Sequence, residues 1–349
     1  MSLYEQRLED DKASIREQLR ALGSGVCDAI EQAARAAATN DVALATEVIL
    51  GDLPINRQSL KLDHQCHLFI ARHLPSARHL RFVSGVLRVN VILERVGDYA
   101  ETIARAALQL RASPPPEAAA QISEIATRAH EVLREAITTF LEADAEEAKR
   151  VRARSKRRGS TFGKTFEDLN RARSSSQSPV ELFALVAIFS RLERVISQAR
   201  SVCLQTVFVA TGEVREGKGF RILVVDEAGA SVPLAAAYLG RAYPDHGTYE
   251  SAAWEPEPPP QALREFAQSK SLELPEATAS LRDASARLGE FDFVIDCSGR
   301  VRAELESIPF QTTVLPWTLE RSGDPQRLYE EFAERFALLF RLLVGEQDA

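Results

Sequence analysis

The stretch Leu93-Glu94-Arg95-Val96-Gly97-Asp98-Tyr99-Ala100 decides the fold, because its first four residues return at Leu192-Glu193-Arg194-Val195, an offset of 99 positions. Each copy follows an apolar stretch and lies late in the third helix of its half. Self-similarity at a fixed offset is the signature of a structural repeat. We therefore predict two three-helix halves, residues 1–112 and 117–212. The alternative is two unrelated amphipathic helices that share a common pattern.

Helix-breaking residues are scarce around this repeat. The first 212 residues contain 8 of the 17 glycines and 6 of the 16 prolines, and their apolar residues recur at spacings of three and four. This pattern predicts a six-helix domain. The predicted spans are 3–38, 41–73, 76–111, 117–144, 145–174 and 179–211. We expect Pro54 to kink or interrupt the second helix.

The remaining third of the chain has a different pattern. A polar, glycine-bearing tract at 213–219 is typical of a linker. Beyond it, strand-like runs alternate with helical ones, which predicts a small α/β domain with a parallel sheet over 220–349. The strand-like runs are 221–225, 291–296 and 312–315, and the helical ones are 233–241, 258–269 and 325–344. The fold class is therefore multidomain, an all-α domain followed by an α/β domain.

Length and composition restrict the function classes. With 349 residues the chain favours two domains, and its net charge of −7 argues against general nucleic-acid binding. The longest uncharged apolar run, Leu182–Phe189, is too short to span a bilayer. The first residues have no basic stretch followed by an apolar core, so we expect no secretory signal there, and the four cysteines form no C-x-x-C pair. We expect a cytoplasmic protein without a membrane span.

Two carboxylates in the deciding stretch share one helix face. Glu94 and Asp98 are four residues apart, and Glu101 extends the same stripe. Like charges at this spacing repel unless a cation lies between them. Oxygen ligands of this kind suit hard cations or iron. The alternative is a solvated acidic stripe that pairs with Arg95 or Arg88.

A run of ten residues, 149–158, carries seven cations. Such a patch can bind nucleic-acid or lipid phosphates, or an acidic protein, and we favour an acidic protein. No aromatic residue interleaves with the cations, which argues against stacking on single strands. A solvated helix face is the alternative. The cations are Lys149, Arg150, Arg152, Arg154, Lys156, Arg157 and Arg158.

The run Leu74-Pro75-Ser76-Ala77-Arg78-His79-Leu80-Arg81, followed by residues 93–100, resembles the PhoU family of bacterial phosphate-uptake regulators over residues 5–212. His79 and Thr102 depart from the family pattern. The resemblance implies protein partners, namely the ATPase of the phosphate ABC transporter and a phosphate-sensing histidine kinase, and it implies a homodimer. It predicts a regulator without enzymatic activity.

The same resemblance implies a transition metal, which could be iron, zinc or manganese, at Glu94, Asp98 and Glu101. Asp52 falls near the family's second acidic motif, although Asn56 is a weaker ligand than aspartate. His64 and His67 could also bind a metal, but surface histidines are more often solvated. Ser197 stands where the second repeat would need its aspartate, so the metal is predicted in the first repeat only.

The C-terminal domain resembles low-molecular-weight phosphotyrosine phosphatases and arsenate reductases, in residues 222–237, 249–256 and 292–325. That family uses a C-x5-R loop, in which a thiolate attacks and arginine clamps the anion. Here Asp226 takes the cysteine position and Val232 the arginine position, so Asp324, at the general-acid position, has nothing to protonate. We predict a pseudo-enzyme. The alternatives are a divergent phosphatase or arsenate reductase, and a nucleic-acid or membrane-surface adaptor that uses residues 149–158.

Overall fold

The computed structural model describes residues 3–155, 178–213, 219–228, 231–275, 278–285, 287–305, 308–309, 312–319 and 324–345. These residues form two compact units. The first is helical and ends at residue 213, and the second begins at residue 219.

The helical unit follows the predicted pattern closely. Asp41, Asp144 and Ser178 cap the second, fifth and sixth helices, each accepting a hydrogen bond from a first-turn backbone N–H. Residues 156–174, predicted to continue the fifth helix, lie outside the described part of the chain. The helices are α1 (Leu3–Thr39), α2 (Val42–His73), α3 (Ala77–Ala107), α4 (Pro116–Glu142), α5 (Ala145–Arg154) and α6 (Pro179–Thr211).

The two copies of the repeated tetrapeptide occupy equivalent positions. In each, the leucine and the valine are fully buried, the glutamate is half-buried and the arginine is exposed. Helices α3 and α6, which carry them, pack against each other. A Cβ added at Gly85 would lie 2.3 Å from Cγ2 of Val209, so only glycine permits this approach.

The expected interruption at Pro54 is wrong, because α2 continues through it from Val42 to His73. Proline removes the donor for the carbonyl four residues earlier, here that of Leu50. Leu50 lies on the exposed side of α2, and the buried neighbour Ile55 packs the helix on the core at this point.

The second unit is the predicted α/β domain. All its strand pairs are parallel, in the order β3-β2-β1-β4-β5. β2, β3, α9 and α10 were not among the predicted runs. β3, α9 and α10, of two to five residues, are too short to show a period, and β2, which reads Gly-Thr-Tyr-Glu-Ser-Ala-Ala, has no apolar run. The elements are β1 (Phe220–Asp226), α7 (Val232–Ala242), β2 (Gly247–Ala253), α8 (Gln261–Ser269), β3 (Ala279–Ser280), α9 (Leu281–Ser285), β4 (Phe293–Asp296), α10 (Val301–Glu304), β5 (Thr313–Pro316) and α11 (Pro325–Val344).

The sheet has an apolar layer on each face. Ile222 and Val224 of β1 pack on one face, in the same cluster as three phenylalanines of α11, Phe332, Phe336 and Phe340. Leu223 and Val225 pack on the other face. The strand order reverses between β1 and β4, and in such sheets a crevice opens at the carboxyl ends of those two strands. Within the described residues, none of the helices is both long and apolar enough to cross a bilayer.

Candidate functional site

Four predicted carboxylates come together between α2 and α3. Asp52 projects from α2, and Glu94, Asp98 and Glu101 project from α3. Gly97 permits the close approach of the two helices. A Cβ added there would lie 3.2 Å from Ile55 and 3.7 Å from Oδ1 of Asp52. We call Asp52, Glu94, Asp98 and Glu101 the acidic cluster.

Three carboxylates of the acidic cluster, those of Asp52, Glu94 and Asp98, have raised pKa values. Burial, followed by the charges of Glu101 and Asp98, raises the pKa of Asp52. Burial and the charge of Asp98 raise the pKa of Glu94, although Arg95 acts in the opposite direction. Burial and the charge of Glu101 likewise raise the pKa of Asp98. A proton or a cation would relieve this repulsion.

The hydrogen bonds of the acidic cluster are incomplete. Asn56 donates to Oδ2 of Asp52 at 2.7 Å, whereas Oδ1 of Asp52 is buried without a hydrogen-bond partner. Glu101 already accepts two hydrogen bonds from Arg105, at 2.9 and 2.6 Å. All-oxygen donors and one unsatisfied acceptor suit a cation chemically. Across the described residues, however, no group of three or more His, Cys, Asp or Glu side chains has the arrangement of a metal site.

The basic run is largely paired where the structure describes it. Lys149 contacts Glu146 at 2.9 Å and Arg150 contacts Glu147 at 2.8 Å. Arg154 bridges Glu135 and Glu147, at 2.6 and 3.0 Å. Lys156, Arg157 and Arg158 lie outside the described residues. Local acids therefore reduce the positive field that the sequence predicted for residues 149–155.

In the loop after β1, the carboxylate of Asp226 accepts hydrogen bonds from the loop itself. Oδ1 of Asp226 accepts a hydrogen bond from the backbone N–H of Glu227 at 2.8 Å, and Oδ2 accepts one from the Ser231 hydroxyl at 2.6 Å. This carboxylate occupies donors that a phosphate would otherwise use. At the position matched to the family's arginine, Val232 is fully buried in the core, so this residue cannot present a cation to the loop.

Asp324, matched to the general acid, has a structural task. Its carboxylate accepts a hydrogen bond from the backbone N–H of Gln326 at 3.0 Å and caps α11. Cys297 is buried, and burial together with Asp226 and Asp296 raises its pKa, so the thiol stays neutral and is a poor nucleophile.

Sequence reasoning missed a set of hydrogen bonds and an ion pair at the carboxyl ends of β1 and β4, which involve Asp296 and Arg300. Asp296, 2% exposed, accepts backbone hydrogen bonds from Ser298, Gly299 and Val301 at 2.9–3.1 Å. The signal was an aspartate at a strand end followed by Ser298-Gly299, which is turn chemistry. Arg300, just beyond, contacts Glu227 at 2.6 Å and so ties the β4 loop to the β1 loop.

Comparisons with known proteins agree with the predicted resemblance of the helical unit. The PhoU domain family model matches residues 19–107. A phosphate-specific transport system accessory protein PhoU homolog of Aquifex aeolicus is 32% identical over 151 residues, which cover 43% of this chain and 66% of that protein. The crystal structure of PhoU from Pseudomonas aeruginosa has a TM-score of 0.53 at 24% identity, covering 59% of this chain and 99% of that one. The helical unit therefore has the PhoU fold.

A thioredoxin-dependent arsenate reductase of Corynebacterium glutamicum is also similar, at 18% identity and a TM-score of 0.33, covering 53% of this chain and 85% of that one. A likeness of that size carries no argument about the activity of the α/β unit.

Proposed function

We propose that this PhoU-like chain regulates phosphate transport through contacts with other proteins. The observation that carries the proposal is the PhoU domain match over residues 19–107, which coincides with most of α1 and all of α2 and α3. The matched relatives are named accessory proteins of the phosphate-specific transport system. The proposed partners are the ATPase of a phosphate ABC transporter and a phosphate-sensing histidine kinase, which would place the protein in the cytoplasm.

Co-purification from native cells tests this function. The full-length tagged chain should retain the transporter ATPase or the kinase, and deletion of its gene should alter phosphate uptake when phosphate is plentiful. A tagged, unrelated α/β protein controls for non-specific retention. Unchanged uptake together with the absence of both partners would refute the proposal.

The acidic cluster is the proposed metal site, in the first repeat only. Asp52, Glu94 and Asp98 would supply most of the ligands, because Arg105 already binds Glu101. A bound cation would neutralise their repulsion and fix α2 against α3. The second repeat has Ser197, which cannot supply an equivalent carboxylate.

The α/β unit is proposed to be a pseudo-enzyme. Three side chains support this proposal. The Asp226 carboxylate accepts hydrogen bonds from donors of the loop after β1, Val232 is a core residue, and Asp324 caps α11. A carboxylate in the cradle repels phosphate, and without an arginine the anion lacks a bidentate partner. The unit would then serve as a binding module within the regulator.

For the basic run, an acidic protein surface remains the proposed target. Exposed charges of this kind act mainly on association rate.

A further inference from the structure

Basic side chains from α1 and α3 meet beside the ring of Phe82. Nζ of Lys12 lies 5.9 Å from the centroid of that ring, and Cζ of Arg16 lies 4.8 Å from it. Burial, followed by the charges of Lys12 and Arg78, lowers the pKa of His79, so these side chains also lie close together. We call Lys12, Arg16, Arg78 and His79 the basic cluster.

Glu9 is the acid that faces the basic cluster. Its carboxylate contacts Nζ of Lys12 at 2.8 Å. The hydrogen bond from Lys12 lowers the pKa of Glu9 against the effect of burial, and the charges of His79 and Arg16 act in the same direction as Lys12. Within the described part of the chain, Arg16 and Arg78 form no ion pair. Three permanent positive charges therefore face one negative charge, which leaves a surplus of two.

The basic cluster is only partly open to water. Lys12 is 6% exposed, and Nδ1 of His79 is buried without a hydrogen-bond partner among the described residues. Asp11, next to Lys12 in the chain, is already engaged with His73 at 2.9 Å. Because charges removed from water are costly unless they are paired, the surplus of positive charge indicates that an anion binds there.

We propose that the basic cluster binds a phosphate group, from inorganic phosphate or from a lipid headgroup. A phosphate group carries up to about two negative charges near pH 7, which matches the surplus. The planar guanidinium of arginine fits its oxygens, and the lysine ammonium adds a point charge. The positive end of the α3 dipole adds to the same field, since the Ser76 side chain makes no cap hydrogen bond there.

This site is a property of this chain rather than of the PhoU family, because His79 is one of the positions that depart from the family pattern. It is separate from the acidic cluster, which attracts cations. It does not rest on the proposed regulation of transport, so binding and regulation can fail independently.

Isothermal titration of the full-length, EDTA-treated chain with inorganic phosphate tests the site. EDTA removes any cation at the acidic cluster that would itself hold phosphate. We expect saturable binding with a dissociation constant below about 1 mM, raised about 10-fold or more by Arg16→Gln, because a hydrogen bond to a charged group is lost. Arg88→Gln is the matched control. Arg88 stacks on Phe208 at 5.3 Å, but it lies about 14 Å along α3 from His79 and should leave the affinity unchanged.

Three further variants distinguish a site from a general effect of charge. Glu9→Gln removes the competing carboxylate and should tighten phosphate binding about 3- to 10-fold. His79→Asp adds a carboxylate that can pair with Lys12, so it should abolish binding while the unit stays folded, as far-UV circular dichroism verifies. Arg150→Gln combined with Arg154→Gln, in the basic run, should leave the affinity unchanged.

Vesicle sedimentation distinguishes the two sources of the phosphate group. Saturable binding of inorganic phosphate, with equal sedimentation on phosphatidylcholine vesicles with and without phosphatidic acid, identifies the free ion. Sedimentation that requires phosphatidic acid and that His79→Asp abolishes identifies a lipid headgroup. Two results would overturn the proposal: a wild type that binds neither form, or Arg16→Gln and His79→Asp variants that bind as the wild type does.

Discussion

Replacing Asp98 with asparagine should stabilise the helical unit once metal has been removed. Asp98 repels Glu94, Asp52 and Glu101, and only Arg95 offsets this among the charges that act on it. Each like-charge contact on neighbouring helix positions costs about 0.2–0.5 kcal/mol. After allowance for the lost attraction to Arg95, the free energy of unfolding should rise by about 0.5–1 kcal/mol at pH 7.5.

The effect should depend on pH in a defined direction. The folded-state pKa values of Asp52, Glu94 and Asp98 are raised, so the native unit binds protons more tightly than the unfolded chain. The stability of the wild type therefore falls as the pH rises from about 4, the range of unfolded carboxyls, through the raised values. The gain from Asp98→Asn should shrink as the pH is lowered towards 5.

Urea unfolding followed by far-UV circular dichroism measures this, because most helix lies in the first unit. Both tryptophans, Trp254 and Trp317, lie in the α/β unit, so their fluorescence reports separately on a unit that should not change. Glu94→Gln should raise the free energy of unfolding by less than Asp98→Asn does. Its counterpart in the second repeat, Glu193→Gln, should not raise it, because Ser197 replaces the second carboxylate there. Loss of stability in metal-free Asp98→Asn at pH 7.5 would refute the reasoning.

Three further predictions follow from the proposed sites. Elemental analysis of natively purified protein should find metal in the wild type and lose it in Glu94→Gln combined with Asp98→Asn; equally low metal in both would reject the metal site. Reversal of Arg150 and Arg154 to glutamate should slow association with the native partner and flatten its salt dependence, and unchanged kinetics would leave a solvated face. The wild type should not hydrolyse p-nitrophenyl phosphate or reduce arsenate, and turnover that Asp226→Asn abolishes would establish an enzyme.

The repeat and the helix pattern could be predicted from sequence because they are local. Leu93 and Leu192 lie in equivalent buried positions because both sequences have the same apolar spacing. The pairing of Lys149 with Glu146 also follows from their spacing of three residues. The contact between Arg154 and Glu135 does not, because it joins two helices whose relative register the sequence leaves open.

The candidate sites depended more on tertiary packing. Asp52 joins the acidic cluster because Gly97 lets α2 approach α3, and a distance between helices has no local signal. The assignment of Val232 to the arginine position stays a prediction, and its complete burial at the start of α7 depends on how that helix packs on the sheet, which has no local signal. The interruption expected at Pro54 was wrong, because the packing of α2 on its neighbours outweighs the local preference of proline, whereas the kink stays a prediction.

The contact of the Val209 methyl with Gly85 has a consequence for how closely the two repeats pack. The methyl occupies the gap left by a missing Cβ, so α3 and α6 cannot slide along each other without a steric collision. A side chain larger than hydrogen at position 85 would have to displace the Val209 methyl and then crowd the Phe140 ring, whose atoms lie 3.3 Å from the added Cβ. The close fit of the first repeat against the second is therefore set by one residue that contributes no side-chain atoms of its own.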